Sequence, residues 1–433
     1  MARPSGMEPR RAALKILEDV RQGKPLDAAL ERSLGTLPDA DRRLAHQLAA
    51  GVLRQRTFLD QRLAALVPRG WESVSAPLQD ILRLGAFQLI TLERVPPHAA
   101  VDTTVSLAKE LGGSRAGGFV NAVLRRLSRT GPDTPSGQDA ASLAQHYSHP
   151  EWLVERWLRA FGREETERLL DWNNTKPRLV LQPARLNGSA LIELWRGCGV
   201  HVESAPYEAG LLTDRSRPTE LPGYSDGSFV VQDPAQALLT RFAGFSPGAT
   251  IYDACAAPGG KSIVLGRSAE MVIAGDISRA RAQRLRENLL RAGSGREHIV
   301  VADGREPPLR SVDAVLLDAP CLATGTFARH PDARWRVTPE ALDGLQRLQS
   351  ALLESLSQLV APGGLLVYST CSLEQEENQS QVDRFLRGHA DFRRDPPGRT
   401  VPDSLISEQG DLVILPQRHG MDGAYAARLR RVQ

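Results

Sequence analysis

The stretch TIYDACAAPGGKS, residues 250–262, runs from an apolar, strand-like segment into a glycine turn and on toward a helix. It is the first of several such segments. From about residue 234, short apolar runs of buried-strand length recur in TIYDACAA, MVIAGDIS, HIVVADG, VDAVLLDAP and GGLLVYST. Helical patterns, among them SRARAQRLRENLLRAG and PEALDGLQRLQSALLESLSQLV, separate them. Alternation of this kind predicts an open, mostly parallel, Rossmann-like α/β sheet over 234–433. In such sheets ligands bind at the carboxyl ends of the strands.

The loop after the first strand ends in Gly-Lys-Ser, as a phosphate loop does. That template needs a glycine where Cys255 stands, and no G-x-G-x-x-G is present. What remains is the turn Cys255-Ala256-Ala257-Pro258-Gly259-Gly260-Lys261, where the backbone approaches a ligand beside a helix N-terminus. Asp276 ends the next strand, 23 positions after Asp253, and is placed to accept both ribose hydroxyls of a nucleoside cofactor. Asp303 ends the third strand and reaches toward the adenine side. Any one of these acids also suits a helix cap or a turn; three in register on successive strands favour the cofactor. The loop is too poor in glycine and basic groups for a pyrophosphate, so the expected cofactor is S-adenosylmethionine rather than NAD or ATP. Lys261 is free to pair with an acid.

Four cysteines are widely spaced, with no CxxC pair, and nine histidines form no ligand-spaced cluster, so neither a disulfide framework nor a metal site is expected. Cys321, in LLDAPCLATG, and Cys371, in VYSTCSLEQEEN, both follow apolar runs of the same sheet. A lone cysteine is usually a small buried hydrophobe. Two at equivalent strand ends would both open onto the cofactor crevice. A thiolate beside a methyl donor suits one chemistry in particular. C5 of a pyrimidine is too weak a nucleophile to take a methyl group until a thiolate adds at C6. A base must then remove the C5 proton so that the thiol departs.

The rest of the 433 residues sets the context. Apolar residues make up 41% and charged residues 24%, as in ordinary globular proteins. No signal-peptide core and no apolar run near membrane-spanning length is present, so a cytoplasmic protein without membrane attachment is expected. Residues 1–130 hold 20 Lys and Arg against 13 Asp and Glu, while the remainder holds 34 against 38. The basic N-terminal region suggests a nucleic-acid partner, although the excess is nearly all arginine. Residues 1–130 read as a helical domain, from the i, i+3, i+4, i+7 spacing of RRAALKILEDV, DRRLAHQLAAGVLRQRTFLDQRLAAL and LQDILRLGAFQLITL. GPDTPSGQDAAS, 131–142, reads as a linker and 143–233 as a small α+β domain.

DACAAPGGKS, LLDAPCLATG and VYSTCSLEQEEN together resemble the signature motifs of the NOL1/NOP2/Sun family, RNA cytosine-5 methyltransferases with two active-site cysteines. RVPPHAAVDTTVSLAKE and GGFVNAVLRRLSR resemble the NusB-type helical, RNA-binding domain that heads a bacterial branch acting on 16S ribosomal RNA. FARHPDARWR, 327–336, and DGAYAARLRR, 422–431, extend the likeness over nearly the whole chain. The resemblance implies a Rossmann-like methyltransferase domain, S-adenosylmethionine as cofactor, and RNA rather than DNA as partner to a monomeric enzyme. It assigns Cys371 as nucleophile, Cys321 to product release, and Asp318 to the neighbourhood of the donor methyl and cytosine N3. Cys255 to Lys261 with Asp276 and Asp303 would hold the cofactor. Two positions depart from the pattern: Leu322 stands where many members have Ser, and Ala424 where an aromatic residue usually follows Asp-Gly. Two other readings remain: methylation of transfer RNA or another ribosomal site, and a NusB-like RNA-binding protein on an inactive methyltransferase fold.

Overall fold

The computed structural model describes every residue except 1–5, 131–136, 138, 216, 397, 399 and 433, so most of the expected linker at 131–142 lies outside the described residues. The chain forms two compact units. The first comprises residues 1–175 together with Phe327–Arg336; the second comprises Lys176–Thr326 and Val337–Gln433.

The first unit is helical: α1 (Met7–Arg21), α2 (Leu26–Leu34), α3 (Asp39–Arg54), α4 (Arg56–Ala64), α5 (Ala76–Thr91), α6 (Pro97–Leu127), α7 (Ala140–Tyr147), α8 (Glu151–Phe161) and α9 (Arg163–Asn174). Pro25, Pro38 and Pro96 stand just ahead of α2, α3 and α6, where a missing N–H costs nothing. Gly112 and Gly113 break α6, and Gly113 takes φ 68, open to glycine without penalty. The apolar stripes meet in one core, where Ile16, Leu48, Leu59, Leu63, Ile81 and Val120 are fully buried. Each such side chain contributes about 1.5–3 kcal/mol relative to exposure. Helices α7–α9 group with this unit, although the sequence pattern starts an α+β domain at 143.

The second unit opens with a small antiparallel sheet. Its elements are β1 (Val180–Pro183), α10 (Gly188–Gly197), β2 (Val202–Ser204), β3 (Leu211–Thr213) and β4 (Phe229–Val231), in the strand order β2-β3-β1-β4. Trp195 is fully buried among Leu181, Leu191 and Phe229, and its Nε1 donates to Pro222 O at 3.0 Å. Strand β3 is too short to show a period in the sequence.

The large sheet follows: α11 (Pro234–Ala243), β5 (Thr250–Asp253), α12 (Gly260–Leu265), β6 (Met271–Asp276), α13 (Arg279–Ala292), β7 (Glu297–Val301), β8 (Val312–Asp318), α14 (Pro339–Ser357), β9 (Val360–Thr370), α15 (Gln379–Gly388), β10 (Phe392–Arg394), β11 (Leu412–Ile414), α16 (Pro416–His419) and β12 (Ala424–Arg431). Its order is β10-β12-β9-β8-β5-β6-β7, with β11 also paired to β12. Strands β9, β8, β5, β6 and β7 are parallel, as the alternating pattern predicts. The other half differs. Strand β12 runs antiparallel to β9, β10 and β11, which makes the sheet mixed. Tyr252, Val315, Leu317, Leu366 and Tyr368 fill one face of the central strands, and Ile251, Leu316 and Val367 fill the other. Burial on both faces is why these strands read as continuous apolar runs.

Candidate functional site

Parallel pairing brings the carboxyl ends of β5, β6, β8 and β9 to one edge of the sheet. Asp253, Asp276 and Asp318 end their strands, and Cys371 follows β9 by one residue. Asp318 stands opposite Ser369 in the register of β8 and β9. The two cysteines, 50 positions apart in sequence, meet with Cys321 Sγ 3.4 Å from Cys371 Sγ. Contact with Cys371, reinforced by burial, pushes the Cys321 thiol well above its usual range.

Lys261, the first basic residue of the glycine turn, places Nζ 2.6 Å from Asp318 Oδ2. Ser369 Oγ donates to the other oxygen of Asp318 at 3.1 Å. Burial opposes the Lys261 charge, but Asp318 outweighs it, and Asp253 and Cys371 add to the pull, so the ammonium is held above its ordinary value. The turn itself has Gly259 at φ 106, and Gly260 opens α12. Cys255 lies in this turn half-buried, and burial beside Asp318 and Asp253 pushes its thiol up to about 12. It is an inert structural cysteine by that measure.

The acids of the expected cofactor pocket are in different states. Asp253 accepts from Ser262 Oγ at 2.7 Å on one oxygen, while its buried Oδ1 has no hydrogen-bond partner. Burial pushes its carboxyl up to about 6. Asp276 accepts from Ser278 N at 2.9 Å through Oδ1; its Oδ2, also buried, faces Arg281 at 3.2 Å without an aligned hydrogen bond. Asp303 lies two residues beyond β7, and Arg305 clamps its carboxylate through Nε and Nη2, holding it below the usual carboxylate range. A nucleoside cofactor with hydroxyl and ammonium donors fits the unpartnered Asp253 Oδ1 and the Asp276 Oδ2 that makes no hydrogen bond, both beside the glycine turn.

Several residues that shape the site lie inside the quoted motifs without having been given a role there, and Gln349 lies outside them. Glu377 accepts from Leu322 N at 3.1 and 3.2 Å and from Gln349 Nε2 at 2.9 Å, fastening the residue after Cys321. Burial pushes its carboxyl up, against those bonds and one to Ser372. Thr324 Oγ1 accepts from Leu373 N at 2.8 Å, Gly325 N donates to Cys371 O at 3.0 Å, and Gly423 N donates to Gly325 O at 2.8 Å. A Cβ on Gly325 would stand 2.7 Å from Gly423 Cα and 2.8 Å from Cys371 O, so only glycine allows this approach. The two departures are both buried: Leu322 is 5% exposed, and Ala424 is 2% exposed, packed in the core and paired with Ile414. Neither is a surface contact. No helix among the described residues is long and apolar enough to cross a membrane.

Comparison with known proteins agrees with this geometry. Residues 244–430 match the family described as 16S rRNA methyltransferase RsmB/F, residues 7–129 the NusB family, and residues 149–218 the ferredoxin-like domain of RsmF/B-like methyltransferases. The chain is 36% identical to the probable ribosomal RNA small subunit methyltransferase B of Synechocystis, covering 98% of this chain and 99% of that one. It is 33% identical to ribosomal RNA small subunit methyltransferase B of Pseudomonas putida over the same shares. The crystal structure of PH0851 shares the fold over 100% of both chains, with a TM-score of 0.84 at 24% identity. That of NSun6 from Pyrococcus horikoshii with SFG covers 66% of this chain and 98% of its own, with a TM-score of 0.58 at 19% identity. With full-length identity of this degree and all three domains matched, the chain belongs to the RsmB family of ribosomal RNA small subunit methyltransferases, S-adenosylmethionine-dependent RNA methyltransferases with a NusB-type domain.

Proposed function

We propose that this enzyme methylates C5 of a cytosine in 16S ribosomal RNA through a covalent bond between Cys371 and C6. The 3.4 Å separation of the Cys321 and Cys371 sulfurs carries the reading. Cys371 forms the S–C6 bond, and the electron pair displaced from the C5–C6 double bond makes C5 nucleophilic. S-adenosylmethionine supplies the methyl group that C5 takes. Once Cys371 is bonded to C6 its influence on Cys321 is lifted; Cys321 gives its proton to solvent and, as thiolate, accepts the C5 proton, the double bond reforms, and the Cys371 thiolate leaves. The Lys261 ammonium supports the negative charge on Cys371 before attack, and Asp318, held by Lys261 and Ser369, is assigned to cytosine N3, where a proton between the two acceptors makes the hydrogen bond. The loop from Cys255 to Lys261 with Asp276 holds the cofactor, and Asp303 closes its adenine side. The helical unit supplies phosphate contacts.

The test uses full-length enzyme, methyl-labelled S-adenosylmethionine, and 16S RNA or transfer RNA as alternative acceptors. Nucleoside digestion should return the label as 5-methylcytidine from 16S RNA. Label in another nucleoside, or only in transfer RNA, would overturn the reading.

A further inference from the structure

The motif FARHPDARWR has no part in the chemistry above, yet it contains a buried charge. Arg334 is 0% exposed and has no carboxylate partner among the described residues. Its Nη1 donates to Ser148 O at 3.1 Å, Asn174 Oδ1 at 2.9 Å and Arg54 O at 3.3 Å; its Nη2 donates to Asn173 O at 2.7 Å and Phe327 O at 3.4 Å. Arg54 is the last residue of α3, Ser148 caps the end of α7, and Asn173 and Asn174 end α9. The carboxyl ends of three helices, each the negative pole of its macrodipole, converge on one guanidinium. Burial still pushes it down to about 9. The same segment is fixed at other points. Arg54 Nη2 donates to Ala328 O, Trp335 Nε1 to Leu53 O, and Leu26 N to Asp332 Oδ2, at 2.8, 2.8 and 3.1 Å.

This anchored strap begins six residues after Cys321 and two residues after Gly325. Gly325 N holds the carbonyl of Cys371, and Gly325 O receives Gly423 N. We propose that Arg334 is a positioning residue for methyl transfer: by seating the strap in the helical unit it fixes the far end of the Cys321 loop, and through Gly325 it holds the backbone of Cys371. The helical unit thereby acts on the reacting cysteines as well as on RNA. The inference rests on the proposed covalent mechanism for its effect on rate, but not for its effect on the loop.

The test compares the wild type with Arg334→Met and Arg334→Lys in the full chain. Lysine keeps the charge but not the planar fork of donors. Expected for Arg334→Met are a tenfold or greater loss of kcat at saturating RNA and S-adenosylmethionine affinity within twofold of wild type. Amide exchange should quicken at Gly325 and Gly423 as well as at the ends of α3, α7 and α9. Arg334→Lys should fall between. A merely structural Arg334 predicts quickened exchange confined to the helical unit with kcat unchanged, and that result would overturn the proposal. If Arg334→Met does not fold, Asp332→Asn, which weakens the anchor at Leu26 N, carries the same measurements. If the wild type itself transfers no methyl group to RNA, the mechanism fails, while exchange at Gly325 and Gly423 still decides the role of the strap.

Discussion

Lys261 Nζ lies 2.6 Å from Asp318 Oδ2, joining the glycine turn after β5 to the end of β8 across 57 positions of sequence. The two side chains are 12% and 30% exposed, so the pair is only partly screened. Breaking a buried pair from one side costs about 3–5 kcal/mol, and solvent access here reduces that to roughly 1–3 kcal/mol. Lys261→Met should therefore lower the unfolding free energy by that amount at pH 7. Because the Lys261 value is raised in the folded state, the contribution is complete below the ordinary lysine value of about 10.4 and disappears as pH climbs through the folded one. Urea unfolding of both proteins between pH 8 and 11 measures it; parallel curves would show that the pair contributes nothing.

The order of the two cysteines is open to a gel. Cys321→Ala should still form the S–C6 bond and accept the methyl group, then stall before elimination. The product is an RNA adduct that survives denaturing electrophoresis. Cys371→Ala and the double variant should give no shifted band. A band from Cys371→Ala alone would reverse the assignment.

Glu377→Ala removes the acceptor for Leu322 N, leaving a buried donor beside Cys321 unsatisfied. The expected cost is about 1–3 kcal/mol of stability. Because the loop carries Cys321, the covalent adduct should also persist longer than in the wild type in single-turnover assays. Equal adduct lifetimes would confine Glu377 to a structural role.

Asp253, with its carboxyl pushed up to about 6, is protonated in the folded protein over a range where it would be ionised when unfolded. The folded state binds the extra proton, so its stability falls as pH rises from the ordinary aspartate value of about 3.9 toward 6. A cofactor donor that pairs with the orphaned Oδ1 requires the carboxylate. Affinity for S-adenosylmethionine should thus weaken as pH drops through about 6, and Asp253→Asn should flatten that dependence. Calorimetry at pH 5, 6 and 7 decides; a flat wild-type profile removes Asp253 from cofactor binding.

Asp276→Ala should weaken S-adenosylmethionine binding by about 1–3 kcal/mol, the cost of hydroxyls left without an acceptor. Unchanged affinity in a folded variant would leave Asp276 as the turn residue that accepts from Ser278 N.

What the sequence revealed and what it hid follow from range. Cys321, Cys371 and the turn at Gly259 and Gly260 sit at strand ends inside contiguous motifs, and a parallel sheet brings strand ends together whatever else the chain does. The partners Lys261–Asp318 and Leu322–Glu377 lie 57 and 55 positions apart, and no local pattern pairs them. Strand β12 was concealed by its arginines. AYAARLRR holds three arginines and shows no strand-like apolar run, yet Arg428 is 8% exposed and discharges its donors on Ala243 O, Asp395 O and the Asp395 carboxylate. FARHPDARWR gave a likeness but no location, because a short segment broken by Pro331 and holding three arginines carries no period that would place it among helices.

The presence of Phe327–Arg336 in the helical unit also sets a timetable for synthesis. Helices α3, α7 and α9 are all made before residue 175, but the guanidinium that satisfies their last carbonyls emerges only with residue 334. At about 5–20 residues per second the ribosome needs on the order of ten seconds or more to cover that gap. Throughout it the helix ends await their partner, so the nascent N-terminal unit cannot reach its final packing before β5–β8, half the strands of the methyltransferase sheet, have been translated.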